Sequence, residues 1–255
     1  MSPIHASYFT DPADPQSWGA EPSLRRLQVE FGDEVEITYV MSGLAREFGD
    51  PAPVASELLE VAETSGMPVD PRLWLASPPR SSYPACMAVK AAAEQGLAGP
   101  YLRRLREGLM CGRRRLDHAE AFLGEARAVS GLNVGRFGVD LGSHAIIESF
   151  GADLERTRES GVEAPALRFG EREVGADEPY EAWRAAALEA GAHASSNGRP
   201  DVEDALRRFG SMATVEVAAV CELPGPRAPA ELWRLAEEWR VKPERYLTGE
   251  LWSLA

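Results

Sequence analysis

Residues 11 to 18, with the sequence DPADPQSW, place two carboxylates and a hydroxyl close together along the chain. If Asp11 and Asp14 face each other, their repulsion separates their pKa values and makes one of them available as a general acid or base. Ser17 would be a nucleophile only with a base in reach, and none of the four histidines lies in a recognisable triad context. A simpler interpretation is that Asp14 caps a helix whose first residue is Pro15, a role that contributes about 1 kcal/mol. We expect capping as the main role of Asp14 and keep acid–base catalysis as the alternative.

The segments on either side of this stretch predict a βαβ unit. IHASYF alternates and is rich in β-branched and aromatic side chains, so it predicts a strand that ends near Thr10. After Trp18, apolar residues at spacings of four, three and four predict one face of a helix that stops at Gly32. VEITYVM predicts the second strand, and the crossover between the two strands should be right-handed.

A block of helices is predicted after the second strand. Residues 51 to 142 have helical patterns separated by Gly and Pro, and the predicted helices are 54–65, 83–95, 100–115 and 117–130. Pro100 suits the first turn of its helix. Asp117 and Glu120 have the N-cap and N3 spacing of a capping box.

After residue 142 the chain is predicted to return to the sheet that contains the first two strands. Ser143 is a good N-cap for a helix, VEAPALRFGEREVG predicts two short strands joined at Gly170, and EPYEAWRAAALEAG predicts another helix. Residues 1–191 are therefore predicted to form an α/β domain with a helical insertion at about 51–142.

Residues 192–255 are predicted to form a second, smaller region. HASSNGRPD has the composition of a linker, and three helices and a hairpin then follow, which are the parts of a winged-helix module. Residues 200–255 carry ten acidic and seven basic side chains. That balance disfavours DNA binding, because phosphate contacts need a positive surface.

Charge, hydropathy and cysteine spacing exclude several classes of protein. The net charge is -13, no run of eighteen apolar residues occurs, and the N-terminus lacks the pattern of a secretion signal. We therefore expect a cytoplasmic protein that binds neither nucleic acid nor membrane. Cys86, Cys111 and Cys221 form neither a CxxC motif nor a metal-binding set, so no metal is expected.

Four segments of the chain together resemble the DsbA-like branch of the thioredoxin superfamily. They are YFTDP, the four residues before Trp18, YPACMAVKAA and GVEAPALRF. Among its members the resemblance is strongest to the FrnE-like proteins and the related protease adaptors. It implies a thioredoxin-like fold over most of the chain. In that family the four residues are Cys-x-x-Cys or Cys-x-x-Ser, whereas this chain has Asp14, Pro15, Gln16 and Ser17. A carboxylate is stabilised by the helix end as a thiolate would be, but it cannot exchange with sulfur.

The resemblance also implies a peptide-binding position. Family members carry a cis-proline opposite the helix end, and the residue before it offers its backbone to an extended peptide. Pro165, preceded by Ala164, matches that position, with Trp18 packed beneath the motif. Docking there would be a form of strand addition.

A second resemblance is to the kappa-class transferases and chromene-carboxylate isomerases, which use glutathione and carry a Ser-Pro-x-Ser motif. DPQS differs from that motif at its first residue, and Asp14 would repel the glutathione thiolate. We therefore expect no cofactor, with glutathione as the less favoured ligand.

These observations predict a thioredoxin-fold protein of the DsbA-like kind that has lost its redox motif. Its expected function is to bind a protein or peptide client along the groove beside Pro165, as a non-catalytic adaptor. The alternative is an enzyme of the same superfamily. It would be either an oxidoreductase working through Cys86 or Cys111, or a glutathione-dependent isomerase built around Asp14 and Ser17.

Overall fold

A computed structural model of the chain describes residues 3–195 and 198–255. Its main sheet has four strands, which are β1 (Ile4–Thr10), β2 (Val35–Met41), β3 (Ala166–Phe169) and β4 (Arg172–Gly175). Their order in the sheet is β2-β1-β3-β4, with β1 parallel to β2 and antiparallel to β3, and with β3 antiparallel to β4. The predicted βαβ unit and hairpin are therefore confirmed and lie in one sheet.

Two helices connect β1 to β2, and one helix follows β4. They are α1 (Pro15–Gly19), α2 (Glu21–Phe31) and α10 (Tyr180–Glu189). Leu24, Leu27 and Phe31 are buried against Tyr8 of β1 and Trp183 of α10. The spacing of four and three residues along α2 thus places one face against the sheet, as predicted.

The insertion between β2 and β3 contains seven helices. They are α3 (Pro51–Ser65), α4 (Arg72–Ala76), α5 (Tyr83–Ala93), α6 (Ala98–Arg106), α7 (Ala119–Ala126), α8 (Val134–Leu141) and α9 (His144–Ser160). Side chains from most of these helices share one apolar core, which includes Leu58, Trp74, Tyr101, Phe122 and Phe137. Ser143 caps α9 as predicted, since its hydroxyl accepts a hydrogen bond from the Ile146 amide at 3.4 Å.

Two predictions for the insertion are wrong in detail. The helix predicted over 100–115 starts at Ala98 and turns into a π-helical segment, Glu107–Cys111. Pro100 is its third residue and lies in its first turn, as predicted. Asp117 does not cap α7, because its carboxylate is bonded instead to Arg115, at 2.8 Å, and to His118. The short helices α4 and α8 were not predicted.

The C-terminal region contains three helices and a three-stranded antiparallel sheet. These elements are α11 (Val202–Phe209), β5 (Met212–Ala213), α12 (Thr214–Val220), α13 (Arg227–Glu237), β6 (Val241–Arg245) and β7 (Glu250–Leu254), with sheet order β5-β7-β6. The predicted helices and hairpin are all present, and β5 is an additional strand. The linker prediction for HASSNGRPD includes Ser196 and Asn197, which lie outside the described residues.

A buried network of ion pairs attaches the C-terminal region to the rest of the fold. Glu216 of α12 accepts hydrogen bonds from Arg25 of α2 at 2.7 Å and from Arg103 of α6 at 2.8 Å. Glu21 of α2 pairs in turn with Arg103 at 3.2 Å and Arg106 at 2.5 Å. All five side chains are less than a tenth exposed, so each charge depends on its partners for stabilisation. In the described part of the chain there is no helix long and apolar enough to cross a membrane.

Candidate functional site

The candidate site is the N-terminal end of α1, where the chain leaves β1. Asp14 is the N-cap, with extended backbone (φ -89°, ψ 119°), and Pro15 occupies the first helical position. The Asp14 carboxylate accepts hydrogen bonds from the backbone amides of Gln16 at 3.2 Å and Ser17 at 2.9 Å. The capping role predicted for Asp14 is therefore present in full.

A chain of hydrogen-bond donors leads from the protein interior to the Asp14 carboxylate. Ser17 donates its hydroxyl to Asp14 Oδ2, and Thr10 Oγ1 lies 2.8 Å from Ser17 Oγ. Arg106 Nη2 in turn donates to Thr10 Oγ1. With the Ser17 proton directed at Asp14, Thr10 donates to Ser17, so every donor in the chain points towards the carboxylate.

Burial raises the pKa of Asp14 in spite of these donors. The side chain is 6% exposed, and desolvation lifts its pKa from 3.8 to about 6. The hydrogen bond from Ser17 and the charge of Arg106 oppose the increase, whereas the charge of Asp11 adds to it. Asp14 is thus mainly ionised at neutral pH and gains a proton in mildly acidic solution.

Asp11 has its own set of partners. Its Oδ1 accepts from the Ala13 amide at 2.8 Å, and its Oδ2 accepts from the Leu44 amide at 2.7 Å and the Cys86 thiol at 3.2 Å. The Asp14 amide donates to the Asp11 carbonyl at 3.4 Å, but among the hydrogen bonds of the described residues none joins the two carboxylates. The two carboxylates influence each other through charge but do not share a proton, so the geometry favours capping over paired acid–base catalysis.

The three cysteines are free and do not form a relocated redox pair. The Cys86 thiol donates to Asp11, whereas the Cys111 thiol donates to the Pro68 carbonyl at 2.9 Å. Burial raises the pKa of Cys86 and Cys111 well above the usual range of a thiol, and it raises the pKa of Cys221 to about 12. A thiol held in its neutral form is a poor nucleophile towards a disulfide.

The site has no base that could activate Ser17 by the triad mechanism. Ser17 is fully buried, whereas all four histidines are exposed: His5, His118, His144 and His193. In the described ranges no group of three or more His, Cys, Asp or Glu side chains is arranged to hold a metal ion.

Trp18 lies beneath the helix end and is completely buried. Its indole N–H donates to the Pro68 carbonyl at 2.9 Å. The Arg103 guanidinium lies over its ring at 4.4 Å from the centroid. Trp18 can therefore contribute to peptide binding only by supporting α1 from below.

Ala164 and Pro165 lie beside the end of β1, from which the chain enters α1. Because Phe9 pairs with Ala166 in the antiparallel register of β1 and β3, Pro165 lies beside Thr10, the last residue of β1. The peptide bond between Ala164 and Pro165 is cis, as the family resemblance implies. Ala164 is exposed and Pro165 is partly exposed, so this segment is accessible.

Sequence reasoning missed Thr10 and Arg106 as parts of the site. Thr10 stands at the end of a predicted strand, where nothing in its residue type indicates a buried hydroxyl contact. Arg106 is separated from Thr10 by 96 residues and is completely buried. Only its position in a helix with apolar neighbours Leu102, Leu105 and Leu109 could have indicated a buried arginine.

Comparison with known proteins places this chain in a family. A family model described as Thioredoxin matches residues 8–177. The ClpXP adapter protein SpxH of Halalkalibacterium halodurans is 30% identical over 98% of this chain and 88% of its own length. The protein of the same name from Bacillus subtilis is 25% identical over 98% of this chain and 89% of its own length.

Solved structures show the same fold at lower identity. A putative protein disulfide isomerase from Nitrosomonas europaea has a TM-score of 0.64 at 18% identity, covering 74% of this chain and 99% of its own. The cytosolic disulfide reductase DsbM from Pseudomonas aeruginosa, solved with GSH, has a TM-score of 0.60 at 21% identity, covering 73% of this chain and 98% of its own. The family model and the full-length relative together show that the chain belongs to the thioredoxin family, as a DsbA-like protein whose helix end carries Asp14 and Ser17.

Proposed function

We propose that this protein is a non-catalytic adaptor that binds a client protein and presents it to the ClpXP protease. The observation that carries the proposal is the Asp14–Ser17 pair, which occupies the helix end with a buried carboxylate and hydroxyl instead of thiols. Neither group can exchange with a disulfide, and the three cysteines elsewhere are held as neutral thiols.

The extent of the similarity to relatives supports an adaptor rather than a reductase. The Thioredoxin family model ends at residue 177, whereas the alignment with the adapter protein of Halalkalibacterium halodurans covers 98% of the chain. The similarity to the adapters therefore continues through the C-terminal region.

The client-binding surface that we propose is the groove between the helix end at Asp14 and the Ala164–Pro165 segment. Ala164 and Glu163 are exposed, and Pro165 is partly exposed. An extended client segment would lie along this backbone in the manner of an added strand.

Site-specific crosslinking in living cells tests this proposal. The photoreactive residue p-benzoyl-phenylalanine, placed at position 164, should capture a small set of proteins. The half-lives of the captured proteins should be several-fold longer in cells that lack either this protein or ClpP. Ala230 on α13 is also exposed and provides the matched control position.

Two outcomes would contradict the proposal. If positions 164 and 230 capture the same proteins, the groove has no binding specificity. If the captured proteins keep their half-lives when this protein is removed, the groove binds proteins but does not deliver them for degradation.

A further inference from the structure

Four segments of the chain meet at the edge of the main sheet that carries the proposed client groove. β1 and β2 are parallel, and their last residues, Thr10 and Met41, pair with each other. β3 begins and β4 ends at the same edge, because Ala166 pairs with both Phe9 and Gly175. The segments that lie together there are 11–19, 42–45, 161–165 and 175–179.

All the charged side chains of these four segments are acidic. The segments contain five carboxylates, Asp11, Asp14, Glu163, Asp177 and Glu178, and no lysine, arginine or histidine. Asp11 and Asp14 are buried, whereas Glu163 and Asp177 are exposed and Glu178 is partly exposed. The last three of these carboxylates are therefore accessible to a ligand.

The accessible carboxylates are not neutralised by ion pairs. Among the ion pairs of the described residues, none includes Glu163, Asp177 or Glu178. Glu178 accepts a hydrogen bond from the Gly175 amide at 3.0 Å, which leaves its charge uncompensated. Glu57 of α3 adds a further carboxylate, since it accepts a hydrogen bond at 3.2 Å from the side chain of Gln16 in the first turn of α1.

Basic side chains that flank this edge do not change the balance of charge. Arg106 is completely buried, and Arg168 of β3 pairs with Glu173 at 3.0 Å. Arg46 and Arg158 are exposed next to the segments along the chain, and each is followed directly by a glutamate. An incoming ligand therefore meets a surplus of negative charge.

One large apolar side chain is exposed at the same edge. Leu44 is 50% exposed, and its amide donates to the Asp11 carboxylate at 2.7 Å, which holds it beside the end of β1. Leu44 follows β2 on one side of β1, whereas Glu163 and Asp177 flank β3 and β4 on the other side. An extended segment that crosses the edge thus passes both an apolar side chain and the carboxylates.

We propose that the clients bound at this edge present basic extended segments, in which lysine or arginine side chains meet Glu163 and Asp177 and an apolar side chain contacts Leu44. The proposal rests on the proposed adaptor function, because it names the class of client that the same groove binds. Opposite charges favour such a segment, whereas an acidic segment would bring like charges together.

Two designed peptides test the preference for basic segments. One alternates leucine with lysine over about six residues, the length of a strand. The other has glutamate in place of lysine, and both carry fluorescein for anisotropy measurements. We expect saturable binding of the lysine peptide to the full chain and about tenfold weaker binding of the glutamate peptide.

A matched pair of double variants separates this edge from the overall negative charge of the chain. Glu163→Lys combined with Asp177→Lys should weaken binding of the lysine peptide about tenfold and strengthen binding of the glutamate peptide. Glu171→Lys combined with Glu237→Lys changes the net charge by the same amount. These two glutamates are exposed in the β3–β4 turn and on α13, so this variant should bind both peptides as the original protein does.

Substitution of Leu44 tests the apolar contact. Leu44→Ala should weaken binding of the lysine peptide several-fold, because it removes the exposed apolar side chain at the edge. Leu247, which is 55% exposed in the turn between β6 and β7, provides the control. Leu247→Ala should leave the affinity unchanged.

Equal affinity for the two peptides, or equal weakening in the two double variants, would overturn the inference. Crosslinking at position 164 tests the adaptor function separately. Capture should fall several-fold when Glu163→Lys and Asp177→Lys are introduced, and it should persist with Glu171→Lys and Glu237→Lys. If both variants capture the same proteins, and the half-lives of these proteins still depend on this protein, the adaptor function stands and the basic class of client is wrong.

Discussion

Ser17 donates its hydroxyl to the carboxylate of Asp14, the residue that caps the helix on which Ser17 lies. The family resemblance implies that these two positions take the place of the two thiols of the redox motif. The pair completes a chain of donors that starts at the buried Arg106. The Asp14 carboxylate therefore receives its hydrogen bonds from groups of the protein itself, and it needs no ligand for its stabilisation.

Asp14→Asn should stabilise the protein at high pH and have little effect at low pH. Because burial raises the pKa of Asp14 to about 6 from 3.8, the folded state binds the proton more tightly than the unfolded state. Ionisation of Asp14 therefore costs stability as the pH rises from about 4 to about 6. The full cost above pH 7 is about 3 kcal/mol.

Urea unfolding of both proteins between pH 4 and pH 8 measures this difference. Asn is also a good N-cap, so the helix end remains capped in the variant. Asp50, the exposed N-cap of α3, accepts from the Ala52 amide at 3.0 Å and likewise precedes a proline. Asp50→Asn is the control and should change the free energy of unfolding by only a few tenths of a kcal/mol at pH 8. A loss of stability in Asp14→Asn at pH 8 would contradict the account.

Replacing Asp14 and Ser17 by cysteine should restore a disulfide at the helix end. The two side chains are already in contact across one turn, and disulfide geometry requires such proximity. Intact mass before and after reduction should show the loss of two hydrogen atoms in the oxidised double variant. The single variant Asp14→Cys and the original protein should show none. Two persistent thiols under oxidising conditions would show that the helix end is not built like that of the redox proteins.

Glu216→Ala should destabilise the whole protein by about 3–5 kcal/mol, because it leaves the buried guanidinium groups of Arg25 and Arg103 without their shared carboxylate. Glu231 provides the control, because its ion pair with Arg234 lies at the surface, and Glu231→Ala should cost at most about 1 kcal/mol. Urea unfolding monitored by fluorescence measures both. Equal effects of the two substitutions would show that the network does not hold the C-terminal region in place.

Glutathione should not bind at the helix end. By the resemblance to the isomerase motif, Asp14 takes the place of the serine that steadies the sulfur in those enzymes, and its carboxylate would repel a thiolate. A ligand at a hundred times its dissociation constant stabilises a protein by about 2.7 kcal/mol. The melting temperature should therefore stay constant as glutathione is raised into the millimolar range. A rise that follows the logarithm of the concentration would support the isomerase alternative.

The sequence predicted those parts of the fold that depend on local patterns. Alternation identified β1 and β2, the spacing of apolar residues identified α2, and Asp14 was predicted as an N-cap from its residue type and from Pro15. Contacts that the local pattern does not reveal decide the rest. Asp117 has the spacing of a cap, but neighbouring Arg115 and His118 take its carboxylate.

The buried charges could not be predicted because their partners are far apart in the sequence. Arg25 and Glu216 are separated by 191 residues and Arg103 and Glu216 by 113. Taken alone, each of these charged residues is of a type that is expected on the solvent-exposed face of a helix. Short helices such as α4, with five residues, contain too few turns for a periodic pattern to appear.

Reconstituted degradation tests the central claim most directly. A protein captured at position 164 serves as the substrate of purified ClpXP, and its rate of degradation is measured with and without this protein. We predict a several-fold acceleration by the original protein and by Ala230→Arg, and none by Ala164→Arg, which places a bulky cation in the groove. No acceleration by the original protein, or equal acceleration by Ala164→Arg, would contradict the account.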